Sequence, residues 1–147
     1  MRLEPLYRAT FTTPESWHAQ LRGEHGVEEQ GFLIAEGRTE GRVTGRLRAS
    51  NFPRRRADGA QTPDFRGVIE ADDGAVILFS WHGFGRAGST GARELIGSLT
   101  HLSDDERYAW LNAAMCAVEG EVRPHPGGGF SVVVDVLEMV WAPLADS

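Results

Sequence analysis

The stretch PDFRGVIEADDGAVILFSWHG, residues 63–83, decides the fold class. Asp-Gly is a strong hairpin signal. A three-residue loop of Asp72, Asp73 and Gly74, with the glycine in the left-handed region, keeps apolar residues opposite one another. That register sets Ile69 against Ile77, Gly67 against Phe79 and Phe65 against Trp81. A two-residue loop would put Glu70 opposite Ile77 and is rejected. The glycine facing a phenylalanine leaves room for the ring to lie across the strand, a pairing used where sheets curve. Both faces of residues 75–81 are apolar, so this strand needs cover on two sides, from a barrel interior and from a helix or a partner subunit.

Working outward, the same period of two recurs. In GRVTGRLRA (41–49), Val43, Gly45, Leu47 and Ala49 alternate with Arg42, Thr44, Arg46 and Arg48. Tyr7, Ala9 and Phe11 alternate with Arg8, Thr10 and Thr12. The 18 glycines, spread along the chain as turn signals, fit an all-β sandwich or barrel with no linker or low-complexity stretch. Thr13 as a cap and Pro14 in a first turn predict a short helix over TPESWHAQL, residues 13–21. GFGRAG (83–88) matches G-x-G-x-x-G, but the parallel strand and trailing acid of a dinucleotide site are missing, so it reads as a Gly-rich loop at a cavity mouth.

In SDDERYAWLNAAMCAVEGEVR (103–123), Ser103 and Glu106 have capping-box spacing, whereas Trp110, Asn112, Ala114, Cys116 and Val118 alternate. A helical turn over 104–108 followed by a strand from Trp110 is predicted. PHPGGG (124–129) then turns the chain into FSVVVDVLEMVW (130–141). Setting Val122 against Phe130 places Cys116 opposite Val136, Ala114 opposite Glu138 and Asn112 opposite Val140. Phe130, Val132, Val134 and Val136 then share the dry face, with Glu138 as its lone acid. Asp135 falls on the other face with Val133, Leu137, Met139 and Trp141, where it is free to pair with an arginine of a neighbouring strand or subunit. So wide an apolar outer face, continued by Leu111, Ala113 and Met115, points to a homodimer contact.

Composition bounds the rest. A chain of 147 residues is one domain, spanning 1–147, and can bury a real core. No apolar run approaches the roughly 18 residues of a membrane helix, and no apolar block follows Arg2, so a soluble protein without a signal peptide is expected. The single cysteine, Cys116, excludes an internal disulfide and fits a reducing cytoplasm. Lysine is absent, which removes P-loop, Schiff-base and lysine-tethered cofactor chemistry. The net charge of −6 argues against general nucleic-acid binding, although Arg42, Arg46, Arg48 and Arg54 to Arg56 form a local basic patch, read as a solvated strand face and loop.

The order EGRTEGRVTGRL, PDFRGVIEADDGAVILFSWHG, RYAWLN and a last strand containing an acid resembles the domain of unknown function 3237 family of small bacterial proteins. Its most specific pieces are Asp72-Asp73-Gly74 with Ala75 and Ile77, and Trp110 with Asn112. The resemblance covers about Leu3 to Trp141 and implies an antiparallel, calycin-like β-barrel, usually dimeric. It supplies no activity and no catalytic set. The arginine-rich NFPRRRADGAQ loop and residues 16–29 depart from the family pattern, so the barrel mouth is expected to be this chain's own.

Two functions follow from such a barrel. One is binding of a small, mostly apolar or aromatic molecule, with Phe65, Phe79, Trp81 and Trp110 lining the pocket and arginines at the mouth for an anionic group. The other is cofactor-free isomerisation, cyclisation or dehydration with Glu138 as acid or base, oriented by Asn112. A structural or partner-binding domain is a third reading and predicts a filled interior. No cofactor is implied. His18, His25, His101 and His125 lack metal-ligand spacing, and His82 facing Asp64 reads as a surface pair. Ser89 and Ser98 lack nucleophile-elbow context, and Cys116 reads as an inert buried thiol.

Overall fold

A computed structural model of the chain describes residues 1–88 and 92–146. The hairpin predicted from residues 63–83 is its centre. Strand β6 (Asp64–Ala71) pairs with β7 (Val76–Ala87) in the expected register, Phe65 against Trp81, Gly67 against Phe79 and Ile69 against Ile77. Gly74 closes the loop at φ 93°, its N–H donating to the Ala71 carbonyl at 2.9 Å. A Cβ on Gly67 would lie 2.6 Å from Phe79 Cζ, so only glycine lets the ring cross the strand.

The other strands are β1 (Arg2–Gly23), β2 (Gly26–Gly41), β3 (Gly45–Asn51), β4 (Arg54–Arg55), β5 (Gln61–Thr62), β8 (Arg93–Leu102), β9 (Cys116–Pro124) and β10 (Phe130–Val140). Antiparallel pairs β1–β2, β2–β3, β3–β6, β6–β7, β7–β8, β8–β9, β9–β10 and β10–β1 close a ring. Closure joins edges that an open sheet would leave unpaired. The short β4 and β5 bridge β2 to β7 at one rim, through Gln30–Arg54, Arg55–Gln61 and Gln61–Gly85. Beyond Phe11, β1 parts from β10 and continues with β2 as a two-stranded arm out to Gly23 and Gly26. Inward rows such as Leu47, Ile69, Ile77, Leu99, Val118 and Val136 form the core, whose burial is the main favourable term in folding. No helix among the described residues is long and apolar enough to cross a membrane.

Four expectations are corrected. The predicted helix over 13–21 is strand: Trp17 pairs with Phe32 and Gln20 with Glu29, and this long cross-strand ladder overrides the local Thr-Pro signal. GFGRAG is also strand through Ala87, paired antiparallel with β8, so the mouth-loop reading fails for Gly83 to Ala87. The alternation from Trp110 is not strand either. Residues Glu106–Ala113 form a 3-10 helix capped by Asp105, whose carboxylate accepts from the Arg107 N–H, and β9 begins only at Cys116. Finally, β9 and β10 pair two residues away from the predicted register, Val122 with Val132 and Cys116 with Glu138. The inward row is unchanged because a shift of two preserves facing.

Candidate functional site

Every strand of the ring sends an inward residue to one interior cavity of about 500 Å³. Phe11, Leu33 and Asn51 come from β1 to β3, Phe65 and Trp81 from β6 and β7, and Leu95, Val122 and Val132 from β8 to β10. The aromatic floor is ordered: Phe65 stacks on Trp81 with centroids 4.4 Å apart and planes 13° apart, and Phe11 meets Phe65 edge-on at 5.5 Å. The volume lies within the range of small-molecule sites, and the wall is mainly apolar with a few polar groups.

Those polar groups have distinct roles. Asn51 is buried, and its Oδ1 accepts the Asp64 N–H at 3.0 Å, so it ties β3 to β6. Arg93 is half-buried and donates to the Gln61 side chain. Among the described residues no carboxylate lies within 4.0 Å of it. Burial, and then the Arg55 charge, holds its guanidinium below the ordinary arginine range, as expected for a cation without a counter-ion. At the rim, His18 Nδ1 sits 3.2 Å from Glu29 Oε1.

The residues expected to carry the site separate. Phe65 and Trp81 line the cavity, whereas Phe79 is packed in the core across Gly67. Trp110 lies outside, on the 3-10 helix, with the Arg42 guanidinium 4.3 Å from its ring centroid. Asn112 is committed to Ser103, its Oδ1 accepting the Ser103 N–H and its Nδ2 donating to the Ser103 carbonyl, both at 2.8 Å. Glu138 pairs with Cys116 and Glu4 and is not among the cavity residues. Asp135 forms an ion pair with Arg8 of the adjacent strand, Nε to Oδ1 at 2.8 Å and Nη2 to Oδ2 at 3.1 Å. His82 Nδ1 faces Asp64 Oδ1 at 3.3 Å on the outer surface. Ser89 lies outside the described residues.

Other polar groups are structural. Cys116 is fully buried, and burial first, then the Glu138 charge, pushes its thiol up to about 11. The basic patch is partly paired: Arg48 with Glu36 at 3.5 Å, Arg55 with Glu29 at 3.9 Å and Arg56 with Asp58 at 2.5 Å. Arg93, Gln61 and His18 were missed in the sequence. Arg93, Leu95, Gly97, Leu99 and His101 do alternate with outward residues, a signal that could have turned Arg93 inward.

A larger groove of about 950 Å³ runs over the outer faces of β7 to β10 and past Phe52 and Arg54. It is open to solvent, with Phe84, Ile96 and Leu3 exposed along it, and lacks the enclosed aromatic floor of the interior cavity.

The family model described as "Protein of unknown function (DUF3237)" matches residues 1–139. The chain belongs to the DUF3237 family. No curated protein matches it. The DUF3237 chain superposes on a β-barrel-like protein from Acinetobacter baumannii AYE with a TM-score of 0.78 at 19% identity, covering 93% of this chain and 94% of that one. A protein of unknown function from Clostridium acetobutylicum ATCC 824 gives 0.75 at 18% identity over 95% and 100% of the two chains. A protein described as an enzyme from Penicillium herquei gives 0.64 at 20% identity over 92% and 93%. At these identities the likeness is one of fold.

Proposed function

We propose that this DUF3237 barrel binds a small, flat, mostly aromatic molecule in its interior cavity, with an anionic group of the ligand held by Arg93. The observation that carries this reading is a half-buried arginine, without a carboxylate partner among the described residues, that lines the same cavity as the Phe11, Phe65 and Trp81 rings. Stacking fixes the plane of a ligand, and a charge-assisted bond fixes its end. Such a bond contributes about 1.5–3 kcal/mol, enough to favour a carboxylate over a neutral isostere by roughly tenfold or more.

Calorimetric titration with 2-naphthoate and 2-naphthamide tests it. The acid should bind at least about tenfold more tightly than the amide, and Arg93→Gln should erase the difference. Failure of both compounds to bind refutes an aromatic-ligand cavity, and equal binding refutes the role of Arg93.

We also propose that a second copy covers the outer groove, because Ile96, Phe84 and Leu3 are 60%, 51% and 48% exposed along it. Sedimentation velocity should give a dimer, and Ile96→Glu should give a folded monomer. A wild-type monomer at micromolar concentration contradicts this arrangement.

A further inference from the structure

His18 and Glu29 meet across the arm at the cavity rim. His18 lies opposite Gly31, and Glu29, opposite Gln20, is its diagonal neighbour. A Cβ on Gly31 would come 3.1 Å from His18 Nδ1, so the absence of a side chain there leaves space for the imidazole over β2. Nδ1 then stands 3.2 Å from Glu29 Oε1. Glu29 is itself approached by Gln20 Nε2 at 3.4 Å and Arg55 Nη1 at 3.9 Å. The Gly31 N–H donates to the Pro53 carbonyl at 2.9 Å and fixes the strand beneath the ring.

His18 lines the same cavity as Arg93 and the aromatic floor, and Glu29 stands behind it on β2. With Asn51 tied to the Asp64 backbone, His18 is the imidazole among the cavity's lining residues, the side-chain type most used in general acid–base work. A carboxylate at Nδ1 selects the tautomer with the proton there, which leaves Nε2 as the basic nitrogen for a ligand. Among the described residues, two histidine and carboxylate pairs occur on opposite sides of the wall. His82 with Asp64 lies on the open outer groove, and His18 with Glu29 lies where a bound molecule would be oriented.

We infer that His18 is a general base and acid acting on the molecule held in the cavity, with Glu29 as its positioning residue, and that the reaction is reversible proton transfer at a carbon beside a carbonyl of an aromatic carboxylate. His18 Nε2 removes a proton from that carbon. The C–H electron pair becomes the C=C bond of the enolate, whose oxygen takes a proton from water, and the hydroxide so formed takes the proton from the His18 imidazolium; the reverse path returns a proton to carbon. Atoms balance as an isomerisation, with no oxidant, reductant or co-reactant. This inference rests on the cavity's binding an aromatic acid.

Phenylpyruvate carries a ring, a carboxylate and an acidic methylene, and serves as the probe. Its methylene exchange in D2O is followed by proton NMR, and its binding is measured separately by calorimetry. The wild type should exceed the buffer rate by roughly 100-fold, and His18→Gln should return exchange to the buffer rate while affinity changes by less than about threefold. Glu29→Gln should keep affinity within about threefold while the exchange rate at saturating phenylpyruvate falls roughly tenfold, because the imidazole loses the partner that fixes its ring and tautomer. His18→Gln is on the arm, and its melting transition should match the wild type. Binding without acceleration, or undiminished exchange in His18→Gln, overturns the inference and leaves the cavity reading standing. Absence of phenylpyruvate binding overturns both.

Discussion

Phe65 and Trp81, opposite one another in the central hairpin, stack at 4.4 Å with their planes 13° apart. The pair closes the floor of the cavity, and Phe11 buttresses it edge-on. Phe65→Leu removes one ring while nearly conserving volume, so the fold should lose less than about 1.5 kcal/mol. The lost aromatic contact, about 0.5–1.5 kcal/mol, should weaken 2-naphthoate by roughly 2- to 12-fold. Calorimetry and urea unfolding on the same variant separate the two effects.

Gly67 is the counterpart on the same strand. A Cβ there would fall 2.5 Å from the Arg48 carbonyl oxygen and 2.6 Å from Phe79 Cζ. Gly67→Ala should therefore destabilise the barrel by about 1–3 kcal/mol, read as a lower urea midpoint at unchanged slope. Adding Phe79→Leu should recover only part of this, because the clash with backbone remains. A neutral Gly67→Ala would mean that β3 and β6 are less closely apposed than the structure has them.

A pH effect follows from the Tyr7 hydroxyl and His101 Nε2, 2.7 Å apart in the core. Burial lowers the His101 pKa from 6.5 to about 4. The unfolded chain takes up a proton here as pH falls through about 6.5, whereas the folded chain resists until about 4, so stability is full above that window and declines across it. The loss between neutral pH and pH 4.5 should be about 2–3 kcal/mol by urea unfolding. His101→Gln should flatten this dependence; an unaltered slope would assign it elsewhere.

Cys116 offers a kinetic check on the core. With no exposed surface and its thiol held up at about 11, it should resist a thiol-specific disulfide reagent at pH 8. Labelling should proceed only through opening of the barrel and should become fast in urea. Rapid native labelling would contradict the placement of β9.

Legibility followed the physics of each signal. The central hairpin was readable because an Asp-Gly loop and paired apolar residues fix one register. The inward rows and the outer-face placement of Asp135 followed from period two, whereas which arginine meets it, Arg8, depends on the β1–β10 pairing that closes the ring. The same period could not distinguish Val122 facing Phe130 from Val122 facing Val132, since both keep every side chain on its face. It also read Trp110 to Ala114 as strand, although a short 3-10 helix capped by Asp105 carries them. The site was least legible. Gln61, Arg93 and His18 lie on three separate segments that only ring closure and the arm bring to one cavity.

The four tryptophans report most directly on where a ligand binds, because Trp81 floors the cavity, Trp17 lies on the arm, Trp110 on the 3-10 helix and Trp141 beyond β10. Nitrogen-15 NMR of their indole N–H groups during titration with 2-naphthoate reads all four places at once. The Trp81 indole should shift saturably, with Trp110 and Trp141 unmoved, and in Arg93→Gln the same shift should need roughly tenfold more 2-naphthoate. A stationary Trp81 indole, with saturable shifts confined to the backbone amides of Phe84 and Ile96, would place the ligand in the outer groove and contradict the cavity reading.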